Sequence, residues 1–195
     1  PTDPLCQHWK VSTAMTKRDG AQDDFGWFVA NNHDELIDHP VEIGTFEQLE
    51  FTANGTPHEV ALTGKYHLDR ERLLQDLKII CEDQINFFGG VAPMDRYVFQ
   101  VMVVGSGYGG LEHRASTSLI CTRDSLPQNK DDTSNQYIKF LGLCSHEYFH
   151  TWNVKRIKPA AFVPYDLSTE NYTTLLWVFE GWTSYYDDLF LVRSQ

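Results

Sequence analysis

The segment Ser145-His146-Glu147-Tyr148-Phe149-His150 holds both the residue types and the spacing for metal chemistry. On a helix, residues four apart lie about 40° apart in azimuth and about 6 Å apart along the axis. Two imidazoles so placed can converge on one ion at the nitrogen distances of about 2.0–2.1 Å that zinc prefers. Glu147, one position on, is turned by about 100°. It lies beside such an ion, not on it, where a carboxylate can take a proton from water. With eight histidines in the chain, accidental H-E-x-x-H matches are expected only about 0.02 times. His58-Glu59 has Leu62 where a second histidine should stand, and His33 and His39 share no helical face.

Two histidines leave a catalytic zinc one protein ligand short. Glu180 is the candidate for the third. It is a lone acid in Leu176-Trp177-Val178-Phe179-Glu180-Gly181-Trp182-Thr183, where burial without a partner is costly. Glu170 competes poorly, because an acid near a helix start is favoured by the dipole in any case. Asp187, nearly two turns after Glu180, is either a carboxylate that orients a ligand histidine or an ordinary exposed acid. Tyr185 and Tyr186 are rotated by about 140° and 240° from Glu180 and point away from the metal. Lys155, Arg156 and Lys158 follow a helix C-terminus, where cations are electrostatically favoured, and read as solvated.

These residues need elements to hold them. The apolar periodicity around the motif predicts a helix over residues 135–154, stopped before Pro159. A second helix is expected to start near Ser168 or Thr169 and still run at Gln195. Earlier, Asp69 reads as an N-cap. Leu73, Leu74, Leu77, Ile80, Cys81, Gln84, Ile85 and Phe88 follow the 3.6-residue period up to Gly89-Gly90. Alternation on either side of Asn54-Gly55 marks a hairpin, although Thr56-Pro57 allows a looser turn. A β-rich run spans Tyr97–Val104, with Tyr97, Phe99, Val101 and Val103 on one face. Glycines 105, 107, 109 and 110 follow, then a short strand over residues 118–122 and a polar loop over 123–134. The first thirty residues have a short-strand texture. The fold class is therefore α+β: a sheet with one helix across it, then a helical lobe.

Composition agrees with a packed domain: 195 residues, 42% hydrophobic and 22% charged, exclude disorder and coiled coil. Sixteen basic residues against 27 acidic give a net charge of −11, which argues against nucleic acid as a partner. No run approaches the roughly 20 apolar residues of a membrane span, and no leader peptide is visible. The four scattered cysteines read as small buried hydrophobes. Pro1 at the start, and an apolar-faced helix (Leu189 to Val192) at the end, are expected of a piece cut from a longer protein. The compartment is left open between cytoplasm and periplasm, and the oligomeric state is not set by the sequence.

The run from His146 to Pro159, together with Trp177-Val178-Phe179-Glu180-Gly181-Trp182-Thr183-Ser184-Tyr185-Tyr186-Asp187-Asp188, resembles the glycyl aminopeptidase family. So do residues 34–44 and Gly109-Gly110-Leu111-Glu112-His113. That is a gluzincin family with a thermolysin-like catalytic domain. The resemblance implies one zinc ion per chain on His146, His150 and Glu180, with Glu147 as general base. In the related leucine- and alanine-type aminopeptidases, a Gly-x-Met-Glu-Asn strand lines the cleft and its Glu holds the free α-amino group. Here Leu111 and His113 replace the Met and Asn, and the acid is kept as Glu112. Gly109 and Gly110 then allow close backbone approach by an extended peptide. The implied domains are the end of an N-terminal β domain over residues 1–32 and a C-terminally incomplete catalytic domain over 33–195, with nothing PDZ-like.

The expected activity is removal of an N-terminal residue, small (Gly or Ala) by resemblance, from a peptide. Two rivals stand beside it: an endopeptidase with the same zinc centre but no amine recognition, and a peptide-binding module that keeps the zinc and lacks turnover.

Overall fold

A computed structural model describes residues 3–19 and 25–193. The N-terminal part holds three short strands, β1 (Lys10–Ser12), β2 (Thr16–Lys17) and β3 (Phe28–Val29). A one-turn helix, α1 (His33–Ile37), follows and was too short to show a period in the sequence. Asn32 caps it by accepting the Glu35 N–H, and the Glu35 carboxylate accepts the Asn31 N–H in return. Strand β4 (Glu42–Gly44) then pairs antiparallel with β1.

The main sheet has five strands: β5 (Glu47–Ala53), β6 (Thr56–Gly64), β7 (Tyr97–Val104), β8 (Gly109–Glu112) and β9 (Ser116–Thr122), in the order β5-β6-β7-β9-β8. β6, β7 and β9 are parallel to one another, and the two edge strands run antiparallel to their neighbours. The β5–β6 turn is tight. Asn54 and Gly55 sit at φ 45° and 81°, and Ala53 faces Thr56. Both turn residues need the left-handed region, the reason Asn-Gly serves there.

Helix α2 (Arg70–Phe87) crosses over from β6 to β7 and lays Leu73, Leu77, Ile80, Cys81 and Ile85 on the sheet. Asp69 caps it by accepting the Arg72 N–H at 3.1 Å. At its other end Gly90 takes a positive φ of 85° and donates its N–H to the Ile85 carbonyl. Tyr97, Phe99, Val101 and Val103 face this core as the alternation predicts, and Cys81, Cys121 and Cys144 are buried and free. The fold is α+β, and among the described residues no helix is long and apolar enough to cross a membrane.

Two helix boundaries differ from expectation. Helix α3 (Asn135–Phe149) stops five residues early, because the chain turns at His150 to satisfy its ring and backbone locally. Lys155 N–H bonds the His150 carbonyl, and Ile157 N–H bonds that of Trp152. The last helix, α4 (Trp182–Arg193), does not begin near residue 168. There Asp166 accepts from Ser168 and Thr169, and the Asn171 amide bonds the Asp166 and Thr169 carbonyls. Such side-chain bonds compete with helix formation. A π-helical turn, Trp177–Gly181, leads into α4 instead.

His58 is a titratable group inside this core. It is 1% exposed, its Nδ1–H donates to the Thr56 carbonyl, and its Nε2 accepts from the Tyr148 hydroxyl at 2.9 Å. Burial pulls its pKa down to about 4, against the pull of the Thr56 carbonyl. The unfolded chain binds this proton near pH 6.5, so stability present above pH 6.5 is lost as pH falls toward 4. The loss by pH 5 is about 2 kcal/mol. His58→Gln keeps an acceptor for Tyr148 and should lose this part of the acid limb. Urea melts at pH 7.5 and pH 5 test it, and parallel losses in the two proteins would assign the limb elsewhere.

Candidate functional site

The site forms where one face of α3 meets β8 and α4. Tyr137, Phe140, Leu141, Cys144 and Tyr148 turn the opposite face of α3 into the core. Tyr148 packs edge-on to Tyr97, and Phe149 stacks on Tyr186 of α4 at 5.3 Å. With these positions buried, helical spacing leaves His146, Glu147 and His150 toward the cleft.

The two Nε2 atoms of His146 and His150 lie 3.1 Å apart. Glu180 Oε2 is 3.3 Å from the first and 3.6 Å from the second. The other ring nitrogens decide what these atoms are. His150 Nδ1 is 2.8 Å from the Asn153 carbonyl and His146 Nδ1 is 2.7 Å from Asp187 Oδ2. Both partners only accept, so both Nδ1 atoms carry the hydrogen. In the neutral rings, two Nε2 lone pairs and a carboxylate oxygen therefore converge with no donor among them. A metal ion, or a proton on one of the Nε2 atoms, satisfies such a set. Neighbouring ligands on a tetrahedral zinc stand about 3.3 Å apart at ordinary bond lengths, and the observed spacings fit.

The electrostatics point the same way. When the rings carry a proton at Nε2, hydrogen bonds from His146 and His150 hold Glu180 down at about 2, against its partial burial. Burial disfavours a charged His146, yet Asp187 and Glu180 outweigh it and hold the ring up at about 10. The site thus favours positive charge at its centre.

Glu147 sits beside this triad and is 5% exposed, with Oε2 bonded to nothing among the described residues. Burial above all pushes its pKa up to about 7, while the two histidines pull it down. Strand β8 comes so close that a Cβ on Gly110 would fall 2.6 Å from Glu147 Cγ and closer still to Oε1. The Gly109 Cβ position is open, so the two glycines differ: one makes room for Glu147 and the other lies along a bare edge. One ligand atom each from Glu112, Glu147 and His150 lies within 4.8 Å of the others. The spacing of His146 and Glu147 was legible in the sequence, whereas Glu112 reaches the cleft only through the β8–β9 hairpin.

Supporting contacts tie the triad to its frame. Asn153 Nδ2 donates to the Val178 carbonyl and to Thr183, whose hydroxyl bonds the Phe179 carbonyl at 2.6 Å. Asn153 therefore grips both His150 and the turn that carries Glu180. Ser145 Oγ donates to the Asp187 carbonyl, and Gln84 of α2 donates to Ser145. Sequence reasoning missed Asn153 and Gln84. Asn153, three residues past His150, was open to inspection, but Gln84 carries no local signal.

Three expectations need correction. Glu180 is not on a regular helix but in the π-helical turn, a distortion that recurs at functional sites. Nor is it buried: its side chain is 53% exposed, with Trp177 and Trp182 exposed beside it, and of its aromatic neighbours Phe179 alone turns inward. The basic trio is not merely solvated. Lys155 Nζ bonds Asp38 at 2.9 Å, Arg156 bonds the carbonyls of Pro93, Arg114 and Thr151, and Lys158 lies over the Tyr165 ring. Tyr185 is exposed, and Tyr186 packs among Phe87, Phe149 and Phe190, outside the triad.

Residues 139–195 match the M61 glycyl aminopeptidase family, and residues 3–45 match the peptidase M61 N-terminal domain. No curated protein matches the chain. A solved structure of an aminopeptidase N family protein from Idiomarina loihiensis is 47% identical, with a TM-score of 0.94 over 98% of this chain. This chain spans 32% of that protein's length. The His-Glu-x-x-His motif and Glu180 lie within the first matched region, and the β1 to β4 strands lie within the second. The chain belongs to the M61 glycyl aminopeptidase family.

Proposed function

We propose that this chain carries the zinc centre and amine-recognition edge of an aminopeptidase that removes small N-terminal residues from peptides. The convergence of the two Nε2 lone pairs with Glu180, beside the unpartnered Glu147, carries the reading. His146, His150 and Glu180 would hold one zinc ion. Bound there, zinc supplies a Lewis acid that acidifies water and polarises a carbonyl.

The chain's own residues do the rest. Glu147 takes a proton from the oxygen of the attacking water and delivers it to the nitrogen of the leaving amine. Asp187 and the Asn153 carbonyl fix both imidazole rings so that Nε2 faces inward. The outer edge of β8 offers backbone groups to an extended peptide, since among the described residues β8 pairs only with β9. Glu112, within reach of Glu147 and His150, takes the α-ammonium and sets the cut one residue from the chain end. The preference for Gly or Ala rests on the family resemblance alone. In this reading residues 33–195 are a thermolysin-like catalytic domain of gluzincin type, and residues 1–32 end a β domain, with the β1–β4 ladder joining the two.

Metal analysis tests the centre. Wild type supplied with zinc is expected to hold about one ion per chain, and Glu180→Gln much less. Equal zinc in both proteins would remove Glu180 from the ligand set. Free and N-acetylated alanyl peptides then test the amine: equal hydrolysis would make the enzyme an endopeptidase, and binding without cleavage a peptide-binding module.

A further inference from the structure

Asp38 lies outside the metal centre, at the C-terminal cap of α1, and is 12% exposed. Its Oδ2 accepts the backbone N–H of Arg114 at 2.9 Å. Its Oδ1 accepts from Lys155 Nζ at 2.9 Å and lies 3.5 Å from Nδ1 of the buried His113. Burial pushes this carboxyl up, but His113, Lys155 and the Arg114 N–H together hold it well below the usual carboxylate range. It is therefore a carboxylate at neutral pH.

The three partners are not equivalent surface groups. His113 and Arg114 directly follow Glu112, in the turn where His113 N–H bonds the Ser116 carbonyl. Lys155 sits in the turn after α3, its own N–H bonded to the His150 carbonyl. One carboxylate thus spans from the end of β8 to the turn that carries His150. β8 has only four residues and one partner strand, and the other side-chain tie from its far end to the turn after α3 is Arg156, which bonds the Arg114 and Thr151 carbonyls.

We propose that Asp38 is a positioning residue for capture of the substrate's N-terminal amine, locking Glu112 at its working distance from the metal ligands. This rests on the amine-capture reading of Glu112. Nothing in the fold of α1 requires the link, since the Asp38 backbone N–H already closes that helix on the Glu35 and Leu36 carbonyls. The side chain is spent on the cross-connection.

The test uses the zinc-loaded protein with free and N-acetylated alanyl peptides. Asp38→Asn should raise KM for the free peptide about tenfold, with kcat changed by less than about threefold and zinc content unchanged. Its preference for the free over the acetylated peptide should fall in step. Asp38→Glu should recover part of the loss. In a Glu112→Gln background, Asp38→Asn should add nothing further, because the two act through one contact. Should Asp38→Asn not fold, Lys155→Met removes a single leg of the bridge and should shift KM in the same direction by less. An equal drop in kcat on both peptides, loss of zinc, or additive effects with Glu112→Gln would overturn the role. Failure of the underlying reading shows in the wild type alone, as equal cleavage of both peptides. A wild type that prefers the free amine, with an unaltered Asp38→Asn, overturns only the role of Asp38.

Discussion

Glu147→Gln should lower kcat by about 10²–10⁴-fold while zinc content stays at the wild-type level. The geometry separates the two outcomes. Glu147 lies beside the triad and makes no bond to His146, His150 or Glu180, so the ligand set survives its neutralisation. What disappears is a carboxylate able to hold a proton between water and the leaving amine. The amide is nearly the same shape and removes a buried carboxylate oxygen that has no partner. Thermal stability should therefore hold or rise, since an unpaired buried charge is costly. Elemental analysis, a peptide assay and a thermal melt on one preparation give all three readings. Retained turnover within about tenfold would take the proton-transfer role away from Glu147.

Gly110→Ala is expected to cost about 10²-fold in kcat/KM without touching a ligand. A Cβ there would stand 2.6 Å from Glu147 Cγ, well inside contact distance. Either Glu147 leaves its place or β8 moves outward, and the strand carries Glu112 with it. Both displacements are of the order of 1 Å, enough to misalign a reacting group. Gly44→Ala is the control, because nothing lies within 4 Å of its Cβ position. Zinc content should match wild type in both variants. Full activity of Gly110→Ala would mean that the cleft is looser than its packing indicates.

The sheet, α2 and most of the helix that carries His146 and His150 were legible because their signals are local. Asp69, the 3.6-residue stripe from Leu73 to Ile85 and Gly89-Gly90 each act on near neighbours, as does the four-residue spacing of His146 and His150. The errors arose where distant groups overrode local preference. Residues 150–154 look helical in sequence, but the His150 ring takes the Asn153 carbonyl and bends the chain. Residues 168–176 hold enough Ser, Thr and Asn to bond Asp166 and one another before a helix can start. The exposure of Glu180 could not be read from Trp177 and Trp182, since aromatic neighbours in sequence need not be neighbours in a core. The bridging contacts of Asp38 gave no local signal, because its partners lie more than seventy residues away.

The open edge of β8 has a second consequence. A row of free backbone donors and acceptors is also a template on which another copy could grow a sheet, the route to aggregation. This edge is poorly suited to that. It is four residues long, two of them glycine, and it ends in the charge of Glu112. A visiting strand with no ammonium at its tip would find few bonds and a carboxylate without a counter-charge. If Glu112 captures the substrate amine as proposed, an edge too weak to retain a strand by itself would keep only those guests that bring their own anchor, and would let the remainder of a cut peptide go.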